Sequence, residues 1–328
     1  MGKIKLRLDP KDLDLWMKGG HSFTAIDLRQ KEQRDEMPII GIDHIVADER
    51  NLPISDKDVV LICQYGLVTE GLIIEKGLSD AYSLSGGVES WNTFLLDKID
   101  MSHWSRQIIL EEIGVEGQRK LMNSRVGIVG MGGLGCPAAQ ALIGAGVMKL
   151  VIMDGDIVEQ SNIHRQVLYG IDDIGSSKVD VAKQKLKKIY GAASIEIIDS
   201  YLEADNGASF FRNLDIVIDA TDNNASRELI DHFSKEYNVP MIYGGLYRYE
   251  GQVSVLNVNG SCGYTDLFPD HGNSKNCSEA GVLGMLPGII GNIQALEAVK
   301  IILGIRPNLI GKLMIYDGMN HKTETIEL

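Results

Sequence analysis

Residues 126–156 read VGIVGMGGLGCPAAQALIGAGVMKLVIMDGD, and this stretch restricts the fold more than any other. Val126, Ile128 and Val129 form the short apolar run of a strand buried on both faces. Gly130, Gly132 and Gly135 follow in G-x-G-x-x-G spacing. An Ala/Leu/Ile pattern predicts a helix over residues 137–147, and residues 150–153 read as a second strand ending at Asp154. Together these make a βαβ unit with a phosphate-binding turn. Glycines let the backbone approach a pyrophosphate, and a helix N-terminus favours its negative charge. The acid closing the second strand suits a ribose hydroxyl. This context points to an adenine nucleotide and leaves NAD, FAD and ATP open.

The chain has 328 residues, enough for two domains, and its 44% hydrophobic and 23% charged residues are ordinary for a globular protein. A net charge of −13 argues against a nucleic-acid or anionic-membrane partner, either of which calls for a basic face. Thirty-six glycines against eight prolines suit an α/β protein with many tight βα turns. No stretch is read as approaching the roughly 20 apolar residues of a membrane span. The opening MGKIKLRLDPKD carries no apolar signal region, so a cytoplasmic location is the expectation. In a reducing compartment Cys63, Cys136, Cys262 and Cys277 are thiols, ligands or catalysts rather than disulfides.

Before the glycine turn, residues 9–18 read as a short capped helix and residues 23–28 as a strand. Residues 59–62 (VVLI) are a second buried strand running directly into Cys63 and a loop that opens a short helix. Loop N–H groups and a helix start favour an anionic sulfur there, thiolate or persulfide. The plainer alternative is a buried small hydrophobe. The surrounding residues shift the balance. Asp27-Leu28-Arg29 ends the first strand, C-x-x-G-x-x-T spans residues 63–69, and G-G-V-x-x-W spans residues 86–91. This pattern resembles a rhodanese domain, over residues 1–97, and the resemblance implies a persulfide on Cys63. The chain departs from it where Val68 replaces a second basic residue, and the helix after the loop reads about a turn short. A degenerate rhodanese used for docking is the alternative. A persulfide implies a donor, a cysteine desulfurase or another source, which the sequence does not name.

Residues 98–102 read as a linker, and residues 104–110 and 114–121 carry amphipathic helical patterns. Beyond the glycine turn, Asp156, Asn162, Arg165, Gln166 and Lys178 follow the second strand closely. The apolar run DIVIDA (215–220) predicts another strand, after which comes Thr221-Asp222-Asn223. A dehydrogenase needs a nicotinamide site and little cationic charge. These donors suit a triphosphate instead, with Arg165 and Lys178 able to neutralise charge during attack at the α-phosphorus. Asp222 sits beyond the C-terminal end of a parallel strand, where open α/β sheets bind ligands, and a carboxylate there suits Mg²⁺ bridging phosphates. Any one of these charges alone reads as a surface residue. Residues 260–278 are polar and read as mobile, and residues 287–303 as an apolar helix.

Collinear matches run through this region: S-R-Q-I at 105–108, G-x-G-G-L-G at 130–135, D-x-D at 154–156, S-N-x-x-R-Q at 161–166, G-x-x-K at 175–178 and T-D-N at 221–223. E-G-Q-V at 250–253, C-x-E-A-G-V-L-G at 277–284 and G-x-x-Q-A-x-E-A-x-K at 291–300 extend them. With these residues the region resembles the MoeB/ThiF adenylyltransferases that activate ubiquitin-like sulfur carriers. The implied domain covers residues 98–328. The implied fold is α/β, a Rossmann-like adenylation domain with a mostly parallel sheet and a C-terminal antiparallel portion, preceded by the rhodanese-like α/β domain. The resemblance implies that ATP binds the turn of Gly130, Gly132, Gly133 and Gly135, with Asp154 on the ribose and Asp156 beside it. Asn162, Arg165, Gln166 and Lys178 then hold the phosphates, and Asp222 holds Mg²⁺. It further implies a homodimer in which Arg106 reaches the neighbouring subunit's site. Cys277 is implied as the residue that forms a thioester or acyl-disulfide with the carrier's C-terminal Gly-Gly.

Many relatives bind zinc through two C-x-x-C pairs. Here Gly263 and Asp266 stand at the first pair, with Cys262 one residue out of register, and the second pair would fall beyond Leu328. No zinc site is therefore expected, and Cys262 and Cys136 read as structural. The rhodanese-like segment also comes first, whereas relatives usually carry it last. Two other readings remain: a NAD-dependent oxidoreductase, against which Arg165, Lys178 and Asp222 argue, and a non-catalytic scaffold. Which carrier and pathway the chain serves (molybdopterin, thiamine, tRNA thiolation or another) is not legible.

Overall fold

Short runs of Val, Ile and Leu become parallel strands here because helices cover both sheet faces. The computed structural model describes residues 6–53, 55–97, 101–269 and 281–328. The chain divides between Ser102 and His103 into two compact units.

The first unit runs β1 (Arg7–Leu8), α1 (Pro10–Lys18), β2 (Phe23–Asp27), α2 (Lys31–Glu36), β3 (His44–Val46), β4 (Asp58–Ile62), α3 (Leu67–Lys76), β5 (Ala81–Leu84) and α4 (Gly87–Asp97). Its sheet has the order β1-β5-β4-β2-β3, with every pairing parallel. Alternation along β4 builds two core layers. Val60 and Ile62 face a cluster with Leu13, Val88 and Trp91, while Leu61 faces one with Ile26, Leu72 and Ile73. The helix expected over residues 9–18 is present, but the Asp9 side chain makes no capping bond. Proline at the first helical position starts it instead.

The second unit runs α5 (Gly114–Asn123), β6 (Arg125–Val129), α6 (Gly135–Ala145), β7 (Lys149–Met153), α7 (Lys178–Ile189), β8 (Ser194–Ile198), α8 (Gly207–Phe211), β9 (Ile216–Asp219), α9 (Asn224–Tyr237), β10 (Met241–Tyr247), β11 (Glu250–Leu256), α10 (Tyr264–Leu267), α11 (Met285–Leu303), β12 (Lys312–Asp317) and β13 (Lys322–Glu327). The sheet order is β13-β12-β11-β10-β9-β6-β7-β8. Strands β8, β7, β6, β9 and β10 pair in parallel, and β10 to β13 pair antiparallel. The parallel half is buried on both faces: Ile216 and Ile218 join one core layer and Val217 the other. Strand β13, KTETIE, is exposed throughout and is an edge.

Three expectations need correction. The helical pattern of residues 104–110 forms no α-helix; successive turns follow a 3₁₀ turn at Met101–Trp104. Side-chain anchors explain this. Trp104 Nε1 donates to Gly144 O at 2.9 Å and Gln107 Nε2 to Ala145 O at 2.8 Å, wrapping the segment onto the end of α6. Helix α6 starts and ends two residues earlier than its apolar pattern, because Gly146 caps it in the left-handed region at φ 96°. Finally, α11 is 19 residues long with a mean hydropathy of 1.4, enough by length and composition to cross a bilayer. It is a core helix. Leu286, Ile290, Ala295 and Ala298 join the main cluster, and buried Gln294 donates to Asp219 O at 2.6 Å and Ile242 O at 3.1 Å.

Candidate active site

A cavity of about 650 Å³ lies beyond the C-terminal ends of β6, β7 and β9, lined by residues of the glycine turn and of the segments that follow those strands. This is the crevice where open parallel sheets bind ligands. Gly130 turns at φ 94°, and a Cβ there would meet Ala220 O at 2.6 Å. The Gly135 position lies so close to Gly130 O that α6 begins directly against the turn. Gly132 and Gly133 line the cavity, and a Cβ on Gly132 would meet only Gln166 Nε2, at 3.6 Å. The backbone there is open to a ligand.

Asp154, at the end of β7, is buried. It accepts from Met131 N–H at 2.6 Å and Asp156 N–H at 2.8 Å, so it pins the glycine turn as well as facing the cavity. Burial pushes its carboxyl up, partly offset by the Lys178 charge and the two N–H bonds. Asp156 is half-buried. Burial alone would push it up, but donors from Lys178 at 2.7 Å and the Tyr201 hydroxyl at 2.5 Å outweigh that and hold it below the usual carboxylate range. Lys178 itself is buried and lines the cavity from the first turn of α7.

Asn162 is buried, with Oδ1 accepting from Glu159 N–H at 3.2 Å, so it also shapes the turn it sits on. Gln166 is buried at the wall, and its Oε1 has no partner among the described residues. An orphaned amide at a cavity wall is a place for a ligand donor or water. Arg165 donates to Ser161 O at 2.6 Å and lines the same wall. Asp222 is exposed and also lines the cavity, from the loop after β9.

That loop is held from beneath by residues the sequence reading missed. Asp219 is fully buried and accepts from Thr221 N–H at 3.0 Å and Thr221 Oγ1 at 2.6 Å. Buried Arg227 lies 3.4 Å from Asp219 and donates to Thr221 O at 2.9 Å, with its guanidinium over the Tyr243 and Tyr264 rings. Burial pushes the Asp219 carboxyl up, and the guanidinium offsets this in part. Burial also works against the Arg227 charge, but Asp219 and the two tyrosines outweigh it and keep the guanidinium charged. Asn223 caps α9 by accepting from Ser226 N–H at 2.9 Å. That Asn capping signal, with Arg227 one turn into the helix, was the available clue. Tyr201, His164 and Arg248 also line the cavity, and no motif marked them.

The remaining expected site residues lie elsewhere. Arg106 is exposed and does not line this cavity. Cys277 falls outside the described residues. Cys63, in the first unit, opens the loop after β4 and is 6% exposed. Its Sγ accepts from Gly66 N–H at 3.1 Å and lies 3.6 Å from Thr69 Oγ1. Arg29 is buried against Asp27 at 2.9 Å and also donates to Met37 O at 2.6 Å and Gln64 Oε1 at 3.2 Å. Its charge is therefore committed to holding the loop. Tyr65, Leu67 and Val68 form an exposed apolar rim.

Cys136 is fully buried under the glycine turn, donates to Met131 O at 3.3 Å, and burial pushes its thiol up to about 12, as for a structural residue. At the positions where zinc ligands were considered, a polar knot is present. Asp266 accepts from Gly263 N–H at 2.8 Å and Lys235 at 3.2 Å. Lys235 also bonds buried Asp231 at 2.9 Å, which accepts from Asn257, Tyr264 N–H and Thr265 Oγ1. Among the described residues no group of three or more His, Cys, Asp or Glu is placed to hold a metal.

The ThiF family matches residues 104–328. The SAMP-activating enzyme E1 of Haloferax volcanii is 39% identical over 237 residues, covering 71% of this chain and 87% of that protein. The sulfur carrier protein adenylyltransferase of Thermus thermophilus is 38% identical, covering 68% and 85%. The adenylyltransferase and sulfurtransferase MOCS3 of Caenorhabditis briggsae is 40% identical over 71% of this chain, which spans only 59% of that relative. The crystal structure of PaaA superposes with a TM-score of 0.60 at 29% identity, over 69% of this chain and 73% of that one.

Proposed function

The chain belongs to the ThiF family, and from that premise we propose that it adenylates the C-terminal Gly-Gly carboxylate of a ubiquitin-like sulfur-carrier protein. The observation that carries this reading is one cavity joining the glycine turn, Arg165, Lys178 and Asp222 at the strand ends. The names of two relatives, an adenylyltransferase of a sulfur carrier and a combined adenylyltransferase and sulfurtransferase, support the same chemistry.

A carboxylate is a poor acyl donor, and adenylation supplies the leaving group. ATP is the substrate held by the turn, with Asp154 toward the ribose and Asn162, Arg165, Gln166 and Lys178 toward the phosphates. A carrier carboxylate oxygen bonds to the α-phosphorus as the bond from that phosphorus to the bridging oxygen breaks. Acyl-adenylate and pyrophosphate result. Arg165 and Lys178 would neutralise the charge that builds on the phosphates, Lys178 from a buried position where such neutralisation is strongest. Asp222 would hold Mg²⁺: an exposed carboxylate beside phosphate donors fits a cation that takes one or two carboxylates and completes its shell with phosphate and water. When bound, that ion neutralises phosphate charge.

Arg106 belongs in this proposal to the site of a second copy, making a homodimer the working unit. Exposed Ile109 and Leu110 beside it suit burial against that copy. Cys277 is proposed to capture the carrier covalently. The first unit is proposed to act as a rhodanese: a persulfide on Cys63 attacks the acyl-adenylate carbonyl with loss of AMP, and a thiol reductant then cleaves the resulting acyl-disulfide to release the carrier thiocarboxylate. The N–H bond to its Sγ supports that role.

ATP–pyrophosphate exchange with each Gly-Gly-ended carrier of the host tests the reading. Exchange with one carrier, abolished by Asp222→Ala with an unchanged melting temperature, is the expected result. No exchange with any carrier, despite ATP binding, would remove the carrier from the proposal.

A further inference from the structure

The cavity contains one hydrogen-bonded chain that the family motifs do not account for. Tyr201 Oη donates to Asp156 Oδ1 at 2.5 Å, and Lys178 Nζ donates to Asp156 Oδ2 at 2.7 Å. Both oxygens of one carboxylate are thus engaged, one by a phenol and one by the ammonium. We infer that Tyr201 is a positioning residue for Lys178, acting through Asp156, in the adenylation step; the inference rests on the function proposed above.

Three observations carry it. First, the tyrosine is seated for this contact. Its carbonyl accepts from Asn206 Nδ2 at 2.8 Å, and its ring packs on Gly155, where a Cβ would lie 3.2 Å from ring Cδ2. Second, Tyr201 is not a core residue. Its side chain stands at the cavity wall and is 59% exposed, while neighbouring Leu202 is buried. Third, the lysine depends on its orienter. The Lys178 side chain is 7% exposed and that of Asp156 is 46% exposed. A half-exposed carboxylate with one oxygen free can swing toward water, and the buried ammonium then loses its fixed direction. With the phenol in place, the carboxylate has one orientation, and Nζ is held at the cavity wall.

The bond to Asp156 also keeps the Tyr201 proton on, moving its ionisation up to about 12. The phenol is therefore a donor across any practical assay range, and its loss should lower activity without reshaping the pH profile between 6 and 9 (assay limits of roughly that span). An electrostatic group that loosens costs most where charge develops, so the effect belongs in kcat rather than in KM.

The test uses the full chain. Tyr201→Phe keeps the ring over Gly155 and removes only the hydroxyl. In pyrophosphate exchange it is expected to lower kcat by roughly 10–150-fold, about the worth of one hydrogen bond to a charged group, with KM for ATP within about twofold. Asp156→Asn should also lower kcat, and Tyr201→Phe added to it should cost little more, since both act through one carboxylate. A rise in KM with kcat unchanged, or effects that multiply, would overturn the inference. A second measurement needs neither carrier nor ATP turnover: acylation of Lys178 by an N-hydroxysuccinimide ester, read by peptide mass spectrometry. Labelling should accelerate about threefold or more in Tyr201→Phe and similarly in Asp156→Asn. Unchanged labelling would overturn the inference even if exchange fails with every carrier, a result that on its own would count against the proposed function only.

Discussion

Replacing Arg227 with methionine isolates the charge pair beneath the Asp222 loop. Methionine keeps much of the length under Tyr243 and Tyr264 but leaves Asp219, which has no exposed surface, without its countercharge. Removing one partner of a buried ion pair costs about 3–5 kcal/mol. For a unit of this size each kcal/mol moves the melting temperature by about 2–4 °C, so Arg227→Met should melt roughly 6–20 °C lower by calorimetry at pH 7. The deficit should shrink on acidification, and the sign follows from Asp219. Burial already raises its folded pKa, and losing the guanidinium raises it further above the unfolded value of about 3.9. A group raised in this way stabilises fully below its unfolded pKa and loses that contribution as pH rises through its folded pKa. Melting at pH 5 should therefore recover part of the loss seen at pH 7. Asp219→Asn in the same chain should recover some of it too, because the orphaned charge is gone. Exchange activity at 25 °C should fall by more than the unfolded fraction accounts for, since Thr221 O loses its donor. A loss under about 1 kcal/mol, or an equal loss at both pH values, would refute the reasoning.

Two further outcomes are expected. Burial works to raise the Asp231 carboxyl, but its bonds from Asn257, Lys235, Thr265 and Tyr264 N–H outweigh that and hold it below its usual range. Its stabilisation is present above the unfolded pKa of about 3.9 and is lost as pH falls through the lower folded value, so Asp231→Asn should lower the stability at pH 7 by about 1–3 kcal/mol and flatten the acid limb below about pH 4. Cys63→Ala should retain pyrophosphate exchange within about twofold while abolishing thiocarboxylate formation on the carrier, read by intact mass; retained formation would leave Cys63 as a structural thiol.

The fold was legible where one kind of force dominated. The strand at residues 126–129, the glycine turn and the acid at Asp154 follow from burial and backbone sterics that act within a few residues, and they stand where the sequence put them. Residues 104–110 misled because an amphipathic pattern measures only which side is apolar. It does not reveal that Trp104 and Gln107 will bond carbonyls some 40 positions along the chain. The apolar helix read at residues 287–303 is present as α11, and its membrane-like composition is that of a helix packed into the core of a sheet protein. That Asn162, Arg165, Gln166 and Lys178 would gather near the glycine turn was readable from spacing, and they line the cavity; the places of Tyr201 and Arg227 were not readable. They reach the cavity through tertiary contacts with Asp156 and Asp219, and no local period encodes such contacts.

A common device recurs in both units and orders the carboxylates at the cavity. Strands β2, β7 and β9 each end beside a buried aspartate, Asp27, Asp154 and Asp219, and each accepts the N–H two residues on, at 3.0, 2.8 and 3.0 Å. This turn stops the strand and fixes the exit direction of the chain. Two of the three aspartates are further tied to a buried arginine, Arg29 or Arg227, whose remaining donors hold loop groups, Gln64 and Thr221. The buried acid thus fixes geometry, Asp154 while also lining the cavity, and the more accessible groups come a few residues later. Asp156 follows Asp154 and Asp222 follows Asp219, each more exposed than its predecessor and each at the cavity. The two acids of D-x-D at 154–156 therefore carry different duties. The first carboxylate makes the turn rigid enough for the second to be placed, as a preorganised charged site requires. On this argument substitution of the first aspartate should damage folding and activity together, while substitution of the second should damage activity with the fold intact.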